Sequence, residues 1–358
     1  MKALWDEVEP RKYSHIITAP ALVESFLVAF VTRLSGLRAV TERCYHCVKT
    51  HNFSSLSHAL RRRSSLAFVR AMVGVLETTH EPGRDELVGI DGMAVTLPKT
   101  QRHRCKKYNH RTVGGGVVWT YMINAAAGVT PIKVLKIVEG AWHDSKIMRG
   151  VTLIPNGPIY LMDRGFYALE VIRKWIREKI RFIVRVKQMN LVYEVVRTVS
   201  KPRTIGNKRL QLDAIVRLGG AQAKAHPTVR LLVAVLPSGE KLILATDRWN
   251  WSAERILEAY RKRWHIERFH RFLKDTVGLA HLYSFGQSGI SFLLYTALLL
   301  ALLLYFSAPN LSGDTITILR TMLRTVRKAL GLGTPWKRNT FTPRRSKKKK
   351  TKGQQGNL

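Results

Sequence analysis

Acidic residues are scarce in this chain. Only 24 Asp and Glu stand against 60 Lys and Arg in 358 residues, a formal net charge of +36. Such an excess points to a polyanionic partner. Nucleic acid comes first and an anionic membrane second, because charge alone does not separate the two. Cysteine is scarcer still, at three residues. That odd number argues against a disulfide framework and for an intracellular chain with free thiols. Cys44 and Cys47 form a C-x-x-C beside His46 and His51. A closed tetrahedral zinc site needs a second pair of ligands, and the one other pair, His103 with Cys105, lies in another segment. Small residues packing in a helical region are the preferred reading. The first residues lack a charged region followed by an apolar stretch and a small-residue cleavage site, so no export is expected. One long apolar run is present, Ile290 to Phe306. It sits at the lower edge of a bilayer-spanning length, and a core helix beneath a sheet is the better reading.

An apolar fraction of 46% over this length is enough for a sizeable core in two or three domains. Residues 1–85 have helical apolar spacing at Ala21 to Leu34 and Leu56 to Leu76, with Pro82 and Gly83 marking an end. Arg61, Arg62, Arg63 and Arg70 suit either a phosphate-tracking face or a solvated basic one. From Glu86 the pattern changes to strands rich in Val, Ile and Thr: Leu87 to Leu97, Val117 to Asn124 and Pro131 to Glu139. Between the first two lies the basic loop Gln101 to Arg111. A short helix at His143 to Arg149, a strand at Ile159 to Asp163, a helix at Tyr167 to Glu178 and a strand at Arg181 to Lys187 complete the order βββαβαβ. Residues 190–245 are too long for a plain loop and read as four further strands. Thr315 to Leu330 reads as an amphipathic helix, and residues 331–358, with four consecutive lysines, as a basic disordered tail.

Few as they are, the acids are conspicuously placed. Asp91 lies within the apolar strand LVGIDGMAV, where a carboxylate is unfavourable unless paired or bound to a cation. The alternative is a strand-end residue bonded to a turn at Gly92. Asp163 ends the strand in IYLMDRGFY, followed by Arg164, which suits a phosphate or a nearby acid, and by Gly165, which permits a sharp turn. Asp144 is the competing carboxylate, and its place before a short helix suits an N-cap. The third acid stands in YRKRWHIERFHRFLK, residues 260–274. On one continuous helix turning about 100° per residue, Tyr260, Arg263, Glu267 and Lys274 project within roughly 60° of one another. Ile266, Phe269 and Leu273 form a second stripe suited to packing on a sheet. Trp249, Trp251 and Trp264 nearby are read as packing residues in preference to base-stacking ones.

The spacing Y-x2-R-x3-E-x6-K and the Asp-Arg-Gly-aromatic run at Asp163 resemble the DDE transposases of the insertion-sequence-four group. The resemblance covers residues 86 to 274 and is softer at Asp91. It implies an α/β, ribonuclease-H-like mixed sheet flanked by helices, split over residues 86–189 and 246–330. An N-terminal helical DNA-binding domain (1–85), a β-rich insertion (190–245) and the tail (331–358) complete the layout. It implies that Asp91, Asp163 and Glu267 are the catalytic carboxylates and hold two Mg²⁺ or Mn²⁺ ions, which suits their hard oxygen ligands. Tyr260, Arg263, Lys274 and Arg164 would contact DNA phosphates. The activity implied is binding of insertion-sequence ends, strand cleavage and strand transfer. The partners are double-stranded DNA, as terminal inverted repeats and target, and further copies of the chain in a synaptic complex. A cytoplasmic, nucleoid-associated protein with no membrane partner is expected. The competing readings are a transposase-derived DNA-binding protein that no longer cleaves and a basic membrane-associated protein.

Overall fold

The computed structural model describes residues 17–34, 36–50, 52–77, 82–96, 116–124, 132–139, 144–189, 191–221, 226–279, 286–308 and 314–332. The basic loop Gln101 to Arg111, the pair His103 and Cys105, His51, and the tail from residue 333 lie outside the described residues. Five helices come first: α1 (Ala19–Thr32), α2 (Leu37–Arg43), α3 (Tyr45–Val48), α4 (Phe53–Arg61) and α5 (Arg63–Glu77). Thr18 caps α1, its hydroxyl accepting from the Ala21 amide, and Pro20 sits where a missing N–H costs nothing. The segment expected as one helix over Leu56 to Leu76 is two, because Arg62 takes an extended conformation. Its guanidinium donates to the Ile17 carbonyl, so Arg62 serves the fold.

The strands and their helices follow: β1 (Leu87–Thr96), β2 (Gly116–Asn124), β3 (Ile132–Glu139), α6 (Asp144–Arg149), β4 (Ile159–Met162), α7 (Leu169–Arg177) and β5 (Arg181–Arg185). Next come β6 (Tyr193–Ser200), β7 (Arg203–Ile205), β8 (Lys208–Leu218), β9 (Thr228–Val235) and β10 (Lys241–Thr246). All ten join one sheet in the order β3-β2-β1-β4-β5-β10-β9-β8-β6, with β7 pairing β8. β1 is antiparallel to β2, and β2 to β3, while β1, β4 and β5 run parallel. That is a ribonuclease-H-like order, so the expected fold class holds. The strands of residues 190–245 continue the same sheet, since β10 pairs antiparallel with β5.

Alternation along the central strands sends side chains to two cores. Val88, Ile90, Tyr160 and Met162 meet α6 and α7 on one face. Ile159 and Leu161 meet α8 (Ala253–Arg261) on the other. After α8 come α9 (Trp264–Arg271), a π-helical turn (Phe272–Val277), α10 (Gln287–Phe306) and α11 (Thr315–Ala329). Their apolar sides share one helical core with α1, α4 and α5. The long apolar segment is α10. It is a core helix as expected, yet it lies within this helical cluster, and 78% of its apolar window is buried.

Candidate active site

The parallel ladder between β1 and β4 ends at Ile90 and Met162. The next residue on each strand is an aspartate, Asp91 and Asp163, so the register alone brings the two acids side by side at the carboxyl ends of parallel strands. Ligand sites in open α/β sheets form at such ends. Asp91 is interior to β1, and Gly92 pairs with Thr120 of β2, so the alternative of a turn at Gly92 does not hold. Leu87, Gly89 and Asp91 share a face. A methyl group at Gly89 would stand 3.3 Å from Ile266 Cγ2, and this close approach is what seats α9 over β1.

The stretch expected as one helix through residues 260–274 is broken twice. α8 stops at Arg261, a turn at Lys262 and Arg263 precedes α9, and the backbone widens to π spacing from Phe272. π turns recur at functional sites. On either side of Lys262, Tyr260 and Arg263 are both buried. The Tyr260 hydroxyl donates to Asp163 Oδ1 at 3.5 Å. Arg263 pairs with Glu267 Oε1 at 2.6 Å, and its guanidinium carbon lies 5.7 Å from the Tyr260 ring centre. Burial opposes the Arg263 charge, but Tyr260, Glu267 and Asp163 outweigh it, and its pKa is raised. Burial raises that of Tyr260 as well, keeping the phenol protonated. Lys274 is half-buried; desolvation lowers its pKa, with Asp275 and Asp91 pulling the other way.

Asp91, Asp163 and Glu267 therefore lie on one side of the sheet, each engaged by a neighbour from the α8–α9 segment. For Asp91 that neighbour is His270, whose Nδ1 lies 3.5 Å from Asp91 Oδ2. Burial depresses the pKa of the His270 imidazole despite the carboxylate beside it. The three acids do not bring their oxygens within 4.8 Å of one another as a set; among the described residues only Glu24, His46 and Cys47 meet that spacing.

Two members of this constellation escaped the sequence. His270 follows Glu267 by one helical turn and so shares its face, a spacing that was available as a signal. Asp144 is the other, an acid whose place in the sequence suits a helix cap. It is the first residue of α6, and its carboxyl is pushed up to about 6 by burial and by repulsion from Asp91 and Asp163. A methyl group at Gly165 would collide with Asp144 Oδ2, so Gly165 keeps room for a fourth carboxylate. Arg164 is exposed and lines a cavity of about 510 Å³ with Arg185, Lys187 and Lys241. Trp249 and Trp264, expected to pack, are 43% and 55% exposed. Trp251 carries the Arg255 guanidinium 3.8 Å above its ring. Arg203 pairs with Glu254 at 2.9 Å.

Comparison with known proteins identifies the family. Residues 82–304 match the family described as the transposase DDE domain. A probable transposase for insertion sequence element IS5377 of Geobacillus stearothermophilus is 22% identical over 165 residues, 46% of this chain and 43% of the relative. A putative transposase for insertion sequence element IS4SA of Synechocystis sp. is 26% identical over 198 residues, 54% of each chain. The chain thus spans about half the length of the curated relatives it matches. A solved structure, the piggyBac transposase synaptic complex with hairpin DNA, superposes with a TM-score of 0.46 and 10% identity, covering 93% of this chain and 79% of that one. Because the family match takes in well over half of its residues, and its curated relatives are named for insertion sequences, the chain belongs to the DDE transposases, in an insertion-sequence-four-like group.

Proposed function

We propose that this transposase binds the ends of an insertion sequence and catalyses DNA strand cleavage and strand transfer, with Asp91, Asp163 and Glu267 as its catalytic carboxylates. The observation that carries this reading is the register of β1 against β4, with Asp91 and Asp163 next to the last paired residues. Tyr260, Arg263 and Glu267 come over the same face.

DDE domains generally work with divalent metals. The residues here fit such ions: the donors are carboxylate oxygens alone, supplied by separate elements, and burial together with repulsion from Asp91 and Asp163 raises the pKa of Asp144 beside them. Asp91, Asp163 and Glu267 would hold two Mg²⁺ or Mn²⁺ ions. When bound, the ions supply Lewis-acid activation of the attacking oxygen and stabilisation of the departing 3′ oxygen.

The protein's own groups orient the acids and hold the DNA. Tyr260 positions Asp163, Arg263 positions Glu267 and His270 positions Asp91. Arg263 and Lys274 neutralise phosphate charge, Tyr260 turns its hydroxyl from Asp163 to a phosphate oxygen when DNA binds, and exposed Arg164 with Lys187 and Lys241 lines a groove in which Arg185 is paired with Glu240. Water attacks phosphorus first and the 3′ oxygen leaves; the freed 3′ hydroxyl then attacks a target phosphate, expelling a second 3′ oxygen.

In this reading residues 1–85 bind DNA, 86–189 with 246–330 carry the chemistry, 190–245 hold the element end, and the tail from 331 adds nonspecific attraction. The protein works as a homo-oligomer in a synaptic complex at the nucleoid. A nicking assay on a plasmid carrying the element's own ends tests it. Wild type is expected to nick only with Mg²⁺ or Mn²⁺, while Asp163→Asn and Glu267→Gln bind the ends without nicking. Binding without nicking in wild type would leave a transposase-derived DNA-binding protein instead.

A further inference from the structure

A second constellation lies outside the carboxylate site, in the N-terminal helices. Glu24 on α1 and His46 and Cys47 on α3 each offer a ligand atom, and these atoms lie within 4.8 Å of one another. We propose that Glu24, His46 and Cys47 form a zinc-binding site that ties α3 to α1. This goes beyond the reaction proposed above and does not depend on it.

The geometry divides the C-x-x-C into two unlike cysteines. Cys44 is fully buried, and its thiol donates to the Ser25 carbonyl at 3.6 Å, so it belongs to the core between α1 and α3. Cys47 is only partly covered, and it meets the exposed side chains of Glu24 and His46. The third ligand comes from a different helix and is a carboxylate, which is why a search for a second Cys/His pair does not find it. Zinc bonds of about 2.0–2.3 Å put tetrahedral ligand atoms roughly 3.3–3.8 Å apart. Side-chain adjustments on the order of 1 Å therefore close the site, leaving a fourth position for water.

The donor chemistry selects the ion. A thiolate, an imidazole and one carboxylate suit zinc and similar borderline ions, whereas the oxygen-only set at Asp91, Asp163 and Glu267 suits magnesium. Burial, Glu24 and Cys44 push the Cys47 thiol up to about 11, so a thiolate is unfavourable beside the Glu24 carboxylate. A divalent ion reverses that balance: the sulfur–metal bond replaces the sulfur–hydrogen bond, and the proton passes to solvent.

Titration of the full-length protein with Co²⁺, followed by competition with Zn²⁺, tests the site. One ion per chain with thiolate-to-cobalt charge-transfer absorption is expected, displaced by Zn²⁺, and Zn²⁺ should raise the Tm. Cys47→Ser should abolish the absorption. Glu24→Gln and His46→Ala should weaken binding by at least about tenfold, since loss of an outer partner alone costs that much. Cys44→Ala, Asp163→Asn and Glu267→Gln should leave the absorption in place, which separates this site from the proposed active site. Circular dichroism reports whether each variant folds; should Cys47→Ser misfold, the surface change Glu24→Gln decides. Absence of a thiolate band in wild type, its persistence in folded Cys47→Ser, or full affinity in Glu24→Gln would overturn the proposal.

Discussion

The two halves of the sheet are built differently. β4 is buried at every position and β5 at nearly every one, because helices cover both faces of the parallel core. β6, at the far edge, is exposed along almost its whole length, with Val195 and Val196 open to solvent. In the covered half two aspartates stand beside each other where the parallel ladder stops; the other half ends at β6, whose exposed face carries apolar and charged residues. Acids placed where a parallel ladder stops can gather around a common point, and a long antiparallel ribbon offers no equivalent.

That contrast can be broken most severely at the carboxylates. Asp163→Asn or Glu267→Gln should lower metal-dependent nicking by about 10³-fold or more, since several kcal/mol of transition-state stabilisation are removed. Gel-shift affinity for the element ends, measured alongside, should change little.

The next effect lies where the antiparallel half meets the segment leading into α8. Arg230 on β9 makes a two-pronged ion pair with Asp213 on β8, at 2.8 and 2.9 Å. It also donates to the Trp249 and Trp251 carbonyls that lead into α8. Both side chains are almost fully buried, so Arg230→Met should cost about 3–5 kcal/mol in chemical denaturation by stranding Asp213. A loss under about 1 kcal/mol would mean that the antiparallel half is not anchored through this pair.

Asp144 sharpens the comparison through pH. Its folded pKa, about 6, lies above its ordinary value of 3.8, so the folded protein holds this proton more tightly than the unfolded chain does. The associated stability is complete below about pH 4 and is lost as pH rises through about 6. In chelator-treated protein, Asp144→Asn should therefore be more stable than wild type by on the order of 1–3 kcal/mol at pH 8 and equal to it at pH 4. Thermal melts at the two pH values check this.

The smallest effect belongs to the open edge. Arg217 and Glu194 pair across β8 and β6 at 3.3 Å with both side chains more than half exposed. Glu194→Gln should change stability by less than about 1 kcal/mol. A larger loss would show that β6 depends on charge pairing more than its exposure implies.

Much of this was readable beforehand. Strand and helix positions followed from apolar periodicity, because the covered strands are continuously apolar and bounded by turn residues. Asp91 stood out as a charge inside such a strand. The break between α8 and α9 was not readable: YRKRWHIERF has no Gly or Pro, and only packing of Ile266 against Gly89 reveals where the helix resets. Asp144 was misread because an acid at a helix start is ordinarily a cap, and nothing local tells that α6 delivers it to Asp91 and Asp163. Nor does the sequence show Glu24 beside Cys47, because 23 positions separate them.

By itself the sequence determined the order of the elements, the basic character of the whole and the identity of the few acids set in apolar surroundings, since periodicity and composition are local properties. Only the tertiary structure decided which of those acids face one another and which cysteine faces solvent. Strand register and helix breaks result from packing between distant segments, and packing is a property of the folded whole.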